Sequence, residues 1–154
     1  MGQRAVEGAF FKVPIDENYH TYCRIIYNRR YAFYDFRTES DDHSLEEIER
    51  AKILLKIIVH RSAIHKGNWK KIGVKPLPEE LNKPVPFFIQ EIGRPEICWI
   101  DLDGERTMVN PSDCIDVERF AVWEYQHVQE YLRDYYDGVP NKNAELLRVN
   151  GMVR

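Results

Sequence analysis

Gly67-Asn68-Trp69-Lys70-Lys71-Ile72-Gly73-Val74, followed across a loop by Pro84-Val85-Pro86-Phe87-Phe88-Ile89-Gln90, decides how this chain folds. The two pieces read as short strands. In the first, Trp69 and Lys71 fall on one face, and Ile72 and Val74 on the other, the pattern of a half-buried strand bending at Gly73. In the second, Pro86 opens Phe87, Phe88 and Ile89, a run with too little polarity for a solvated face and therefore core. Between them Pro76, Pro78, Pro84 and Pro86 fix φ and delete amide donors, so the connection is neither a helix interior nor a central strand. The unit reads as packing rather than as a binding groove.

Upstream of it, residues 8 to 37 read as a β-meander. Ala9-Phe10-Phe11-Lys12-Val13 stops at Pro14, and two runs rich in aromatic and β-branched residues follow, residues 22 to 27 and 31 to 36. The link Asn28-Arg29-Arg30 is of hairpin length, which forces antiparallel pairing. Ser44 with Glu47 has capping-box spacing, so a short helix starts at Leu45. Ile53-Leu54-Leu55-Lys56-Ile57-Ile58-Val59 would spread apolar groups all round a helix, whereas a central strand buried on both faces has only Lys56 to place. Ser62 to Gly67 is a turn or one helical turn closed by the glycine.

Downstream, residues 97 to 102 and 105 to 109 flank Asp103-Gly104, a hairpin signal because a type I′ turn needs φ > 0 at both central positions. Asn110-Pro111-Ser112 ends that hairpin. A helix from about Glu124 carries Val128, Tyr131, Leu132, Tyr135 and Tyr136 on one stripe and stops at Gly138 and Pro140. The tail from 141 to 154 frays or forms a last turn through Leu146 and Leu147.

With 154 residues, the chain is expected to be a single domain. Charged residues at 31% and apolar ones at 44% exclude a disordered composition. No apolar run spans a membrane, the first residues carry no apolar signal core, and Val6 stands where myristoylation at Gly2 needs Ser or Thr. Cys23, Cys98 and Cys114 cannot all pair and lack C-x-x-C spacing, which points to reduced thiols and the cytoplasm. A formal charge of −3 gives no general attraction for nucleic acid.

Chemistry is sparsely encoded. His20, His43, His60, His65 and His127 form no i, i+3 or i+4 pair, and no cysteine stands near them in a zinc pattern, so neither metal nor cofactor is expected. Asp101, Asp103 and Gly104 resemble part of a calcium loop but lack its glycine and glutamate positions. Phosphate-loop and nucleophile-elbow motifs are absent, leaving a hydrolase assembled from Cys114, Glu118 and His127 as a reading with only sequence proximity behind it. Arg24, Arg29, Arg30, Lys70 and Lys71 among aromatics could form a nucleic-acid surface, or simply cover the polar face of a sheet. Glu39, Asp41, Asp42, Glu46, Glu47 and Glu49 form an acidic segment, either a solvated loop and helix N-terminus or a docking site for a basic partner.

In order and spacing these motifs resemble the immunity protein 26 family of bacterial polymorphic toxin systems, over roughly residues 6 to 136. The resemblance rests on Gly8-Ala9-Phe10-Phe11-Lys12-Val13-Pro14, where Ala9 replaces a usual Asp, on Trp69-Lys70-Lys71-Ile72-Gly73, and on Pro86-Phe87-Phe88-Ile89-Gln90. It also rests on Cys114-Ile115-Asp116-Val117-Glu118-Arg119 leading into Ala121-Val122-Trp123 and His127-Val128. It implies a cytosolic protein without catalysis of its own that protects its producer by binding a cognate toxin domain. Physically, Trp69, Phe87 and Trp123 read as core aromatics, and Glu118 with Arg119 as a pair locking the final helix to the sheet.

The expectation is an α+β domain, a bent, mainly antiparallel sheet or partly closed small barrel with a C-terminal helix. Asp41, Asp42, Glu46 and Glu47 are expected to contact the toxin, a basic nuclease being the best charge match, with Tyr34 as aromatic anchor. The alternative is a small-barrel nucleic-acid module using Arg29, Arg30, Trp69 and Lys70, and exposed aromatics would also suit a homodimer.

Overall fold

The computed structural model describes residues 3–150; Met1, Gly2 and the tail residues 151–154 lie outside the described residues. The meander forms as the sequence indicates: β1 (Ala9–Pro14), β2 (His20–Ile25) and β3 (Tyr31–Tyr34) pair antiparallel in succession. The β2–β3 link is a tight turn in which Asn28 and Arg29 both take φ 57°, a conformation Asn tolerates better than most residues. Next come α1 (Leu45–Glu49), β4 (Ile53–Val59) and the single turn α2 (Ser62–His65). β5 (Lys70–Val74) pairs with the outer side of β1.

β6 (Phe87–Gln90), β7 (Cys98–Leu102) and β8 (Glu105–Val109) follow the proline loop, and Asp103 and Gly104 take φ 55° and 92°, as the hairpin requires. Two-residue strands β9 (Glu118–Arg119) and β10 (Val122–Trp123) precede α3 (Tyr125–Asp137). At its end Gly138 takes φ 71°, its N–H reaching Tyr135 O and the Val139 N–H reaching Asp134 O, a Schellman arrangement. The tail forms α4 (Lys142–Leu146), capped by Asn141.

Among the described residues the strands make two mixed sheets, ordered β10-β4-β3-β2-β1-β5 and β8-β7-β6-β9. The fold is therefore α+β and mainly antiparallel with a C-terminal helix, and it does not close into a barrel. The division falls at the proline loop, which carries the chain away from β5. The two parallel pairings, β10 with β4 and β9 with β6, come from short strands that local sequence does not mark.

The main core lies between the inner face of the larger sheet and α3, where Phe11, Cys23, Phe33, Leu55, Ile57, Val128 and Leu132 meet. Trp69 is fully buried there, edge-on to Tyr31 and Phe33, with its indole N–H donating to Gln129 Oε1 at 3.0 Å. Phe87 and Trp123 are buried as well. The outer face of β1–β3 is also covered, by α1, through Phe10, Tyr22, Tyr34 and Ile48.

Two bulges shape the sheet. One residue, Ile72, is extra in β5 where Phe10 faces Gly73 and Phe11 faces Lys71, so the irregularity sits beside the bend expected at Gly73. Gly73 itself makes room for α1: a Cβ there would lie 2.8 Å from Leu45 Cδ1. In β4 Leu54 is extra, between the Phe33–Leu55 and Tyr34–Ile53 pairings. β4 is an interior strand, yet only Leu55, Ile57 and Val59 are fully buried; its other face is half-covered rather than buried.

Candidate partner-binding face

The acidic segment is a structured loop and helix laid over the outer face of β1–β3. His20 and Thr38 exchange backbone hydrogen bonds, the Thr38 hydroxyl lies 2.8 Å from His43 Nε2, and His43 Nδ1 lies 3.1 Å from Glu47 Oε1. Ser44 Oγ accepts the Glu47 N–H at 3.1 Å, as its spacing foretold. The His43 ring stacks edge-on against Phe36 and Tyr22.

The charge on this face is smaller than its composition suggests. Lys12 donates to Asp41 Oδ1 at 2.6 Å, which holds the Asp41 carboxyl below its ordinary value. Lys75 lies 2.6 Å from Glu49 and 3.7 Å from Glu46, and Arg24 lies 3.3 Å from the other Glu49 oxygen; Glu49 is held low chiefly by Lys75. His20 stands 3.6 Å from Asp41, but burial first and Lys12 second depress its pKa, so at neutral pH this contact joins a neutral ring to a carboxylate. Asp42 pairs with no base among the described residues, and Glu47 meets only His43. Asp41, Asp42, Glu46 and Glu47 are all exposed.

Tyr34 is not on that surface. Its ring is 1% exposed and stacked with Phe10 at 6.2 Å, so it cannot serve as an exposed anchor. The sequence misleads because β3 looks like a strand with one wet face, whereas α1 covers that face. Arg24 is missed for the same reason: counted among surface bases, it is fully buried, with Nη2 donating to the Lys75 and Pro76 carbonyls at 2.9 and 3.0 Å and the guanidinium over Phe10. The available signal was its place between Cys23 and Ile25 in the run of residues 22 to 27, which is otherwise apolar or aromatic.

The other candidate constellations do not assemble. Trp69 is buried, so no stacking platform joins Arg29 and Lys70, and Arg30 lies over the Phe87 and Phe120 rings. Cys114 is buried beside Cys98, its thiol pushed up to about 11 by burial, and no hydrogen bond joins it to Glu118 or His127. No group of three or more His, Cys, Asp or Glu among the described residues could hold a metal, and no described helix is long and apolar enough to cross a membrane.

Arg119 does not pair with Glu118 to lock α3 as expected; it donates instead to the Leu147 and Arg148 carbonyls at 3.0 Å each, beyond that helix. Glu118 takes no part in this. Exposed on its outer side, it borders a crevice of about 370 Å³ with Tyr131, Tyr135 and Trp123, and the partial desolvation there raises its pKa.

A family model described as Immunity protein 26 matches residues 6–99. The match takes in β1 to β6 and the acidic segment and ends in β7, so the Cys114 to His127 part of the resemblance lies beyond it. Searches of the curated proteins and of the solved structures return no match.

Proposed function

We propose, because the chain belongs to the immunity protein 26 family, that it binds a cognate bacterial toxin domain and neutralises it by occluding its active or substrate site, with no catalysis of its own. It acts in the cytoplasm as one domain, its three thiols free and buried. The observation that carries the reading is the family match, which encloses the whole acidic face. The backbone of that segment is tied down by the His20–Thr38 pairing and the Ser44 cap, which lowers the backbone ordering that docking would require. Asp42 and Glu47, with Asp41 and Glu46 beside them, offer carboxylates to a basic groove such as a nuclease presents. A standard interface of about 800 Å² per partner is expected.

The test is capture of the partner from the native cell, then titration of purified partner with the chain and with the triple variant Asp42→Lys, Glu46→Lys, Glu47→Lys. Binding by the parent chain, weakened at least tenfold in a variant that keeps its thermal transition, supports the face. Undiminished binding places the interface elsewhere.

A further inference from the structure

The smaller sheet ends on an unblunted edge. β8 lies at its margin, and Glu105, Arg106, Thr107 and Met108 are all exposed, so neither face of this stretch nor its free side is covered. Sheet edges are ordinarily blunted by a bulge, a proline, a charge or a covering element. β5, at the margin of the larger sheet, follows that rule: it carries a bulge, and the Gln3 side chain takes up the Lys71 N–H and the Trp69 carbonyl. β8 instead pairs with β7 along its whole length without a register shift, and the Arg106 charge is drawn back onto Asp101 at 3.1 Å.

The hairpin fixes which backbone groups stand free. Its two-residue turn at Asp103-Gly104 makes Leu102 and Glu105 a hydrogen-bonded pair. Antiparallel alternation then turns the N–H and carbonyl of Thr107 and Val109 toward β7, and those of Arg106 and Met108 outward. Among the described residues nothing bonds these four outward groups. The face beside them is apolar. Ile89 stands opposite Trp99 and Trp99 opposite Met108, a row across three strands that ends on a methionine 67% exposed. The other face of the sheet packs Phe88, Cys98 and Val109 against Cys114 and Val149.

An occupant of this edge has to be an extended strand, and a second copy of β8 meets the requirement in one register. Two copies related by a two-fold axis run antiparallel, and outward residues must then stand opposite outward residues. Arg106 against Arg106 sets like charges face to face and leaves Met108 opposite the Gly104 turn. Met108 against Met108 leaves Arg106 opposite Asn110, whose N–H and carbonyl are already bonded to Asp113. Arg106 against Met108 engages every outward group of both copies in four hydrogen bonds. It places Thr107 opposite Thr107 on the axis, a favourable cross-strand pair, and brings the two Met108 side chains together diagonally on the apolar face.

We propose that β8 is the interface of a homodimer, two copies pairing antiparallel about Thr107 so that their four-stranded sheets join into one of eight strands. The proposal is independent of toxin binding. β8 lies beyond the residues the family model matches, and the acidic segment packs on the larger sheet. Strands this short bury a total below about 1,200 Å², so a dissociation constant on the order of 10–100 µM is expected.

Sedimentation velocity on the full chain from about 5 to 500 µM, a range that brackets this constant, should show a reversible passage from monomer to dimer. Met108→Pro deletes an outward donor and leaves the ladder to β7 whole, so it should abolish the dimer in a chain that keeps its circular dichroism spectrum. Thr107→Cys brings two thiols to the axis with Cα atoms about 4.5 Å apart, within disulfide reach. The chain's own Cys23, Cys98 and Cys114 are buried and do not compete. Under glutathione disulfide Thr107→Cys should cross-link at least about tenfold faster than Glu105→Cys, which the register holds far from its own copy. A monomer up to about 500 µM, a dimer that survives Met108→Pro, or equal cross-linking at the two positions would overturn the proposal. Should Met108→Pro unfold, the two cysteine variants decide alone.

Discussion

At Gly8 the backbone stands at φ +93°, and a Cβ built there would lie 2.2 Å from the Lys75 carbonyl oxygen. Gly8 N–H donates to Ile25 O at 2.7 Å and its carbonyl accepts from Lys75 N–H, so the glycine ties β1's entry to β2 and to the end of β5 at once. Gly8→Ala should therefore cost about 2–4 kcal/mol in urea unfolding, through positive φ and the backbone clash together. Glu118 gives a prediction of opposite sign. Its folded pKa lies above the ordinary 4.5, so the stability tied to this group is complete below that pH and is lost as pH rises through the folded value. Glu118→Gln should raise stability at pH 7 and change nothing at pH 4, read by urea titrations at both. His20 titrates the other way: with its pKa below 6.5, its contribution is present above 6.5 and lost as the solution is acidified. His20→Gln should flatten the loss of thermal midpoint between pH 6.5 and the folded value. Single residues whose role is conformational, such as Asp103, Gly104 and Gly138, are legible in the sequence because φ > 0 narrows the choice. Arg24 and Tyr34 are not, because their burial depends on α1 covering a face that alternation alone leaves open.

Elements with local punctuation declare themselves. Ser44 starts α1, Asp103-Gly104 folds the β7–β8 hairpin, and Gly138 ends α3. Ser44→Ala should cost about 1 kcal/mol by removing the acceptor for Glu47 N–H. Since α1 covers Tyr34 and frames the acidic face, that variant should also weaken partner binding modestly. Leu132, fully buried on α3, should cost about 2–5 kcal/mol on truncation to Ala. β9 and β10 escape sequence reading because two residues show no period, and their parallel pairing is set by distant strands β6 and β4. The tail is similar: Val149 is 5% exposed, and Gln90 and Arg119 bind the backbone of residues 147 to 150, contacts no local motif announces.

At the scale of the whole molecule, the proline loop divides the strands into two sheets, and the chain then stitches them together. The Asp103 carboxylate at the tip of the smaller sheet's hairpin accepts from the Tyr27 hydroxyl of the larger sheet's turn at 2.8 Å, and β9 hands the chain directly to β10. A single cooperative transition, with tryptophan fluorescence and backbone circular dichroism coinciding, is expected of such an arrangement. The α+β class and antiparallel meander could be read in advance; the place where one sheet becomes two could not, since strand partners across a loop are fixed by tertiary packing. Acidic composition likewise pointed to a face but overstated its charge, because Lys12, Arg24 and Lys75 between them oppose Asp41, Glu46 and Glu49.

Neutralisation of a toxin is the claim on which the account turns, and growth measures it most directly. Cells producing the captured partner alone should stop growing, co-production of this chain should restore growth, and the chain with Asp42→Lys, Glu46→Lys and Glu47→Lys should restore it less. Unchecked growth with the partner alone, or arrest that this chain does not relieve, would contradict the account.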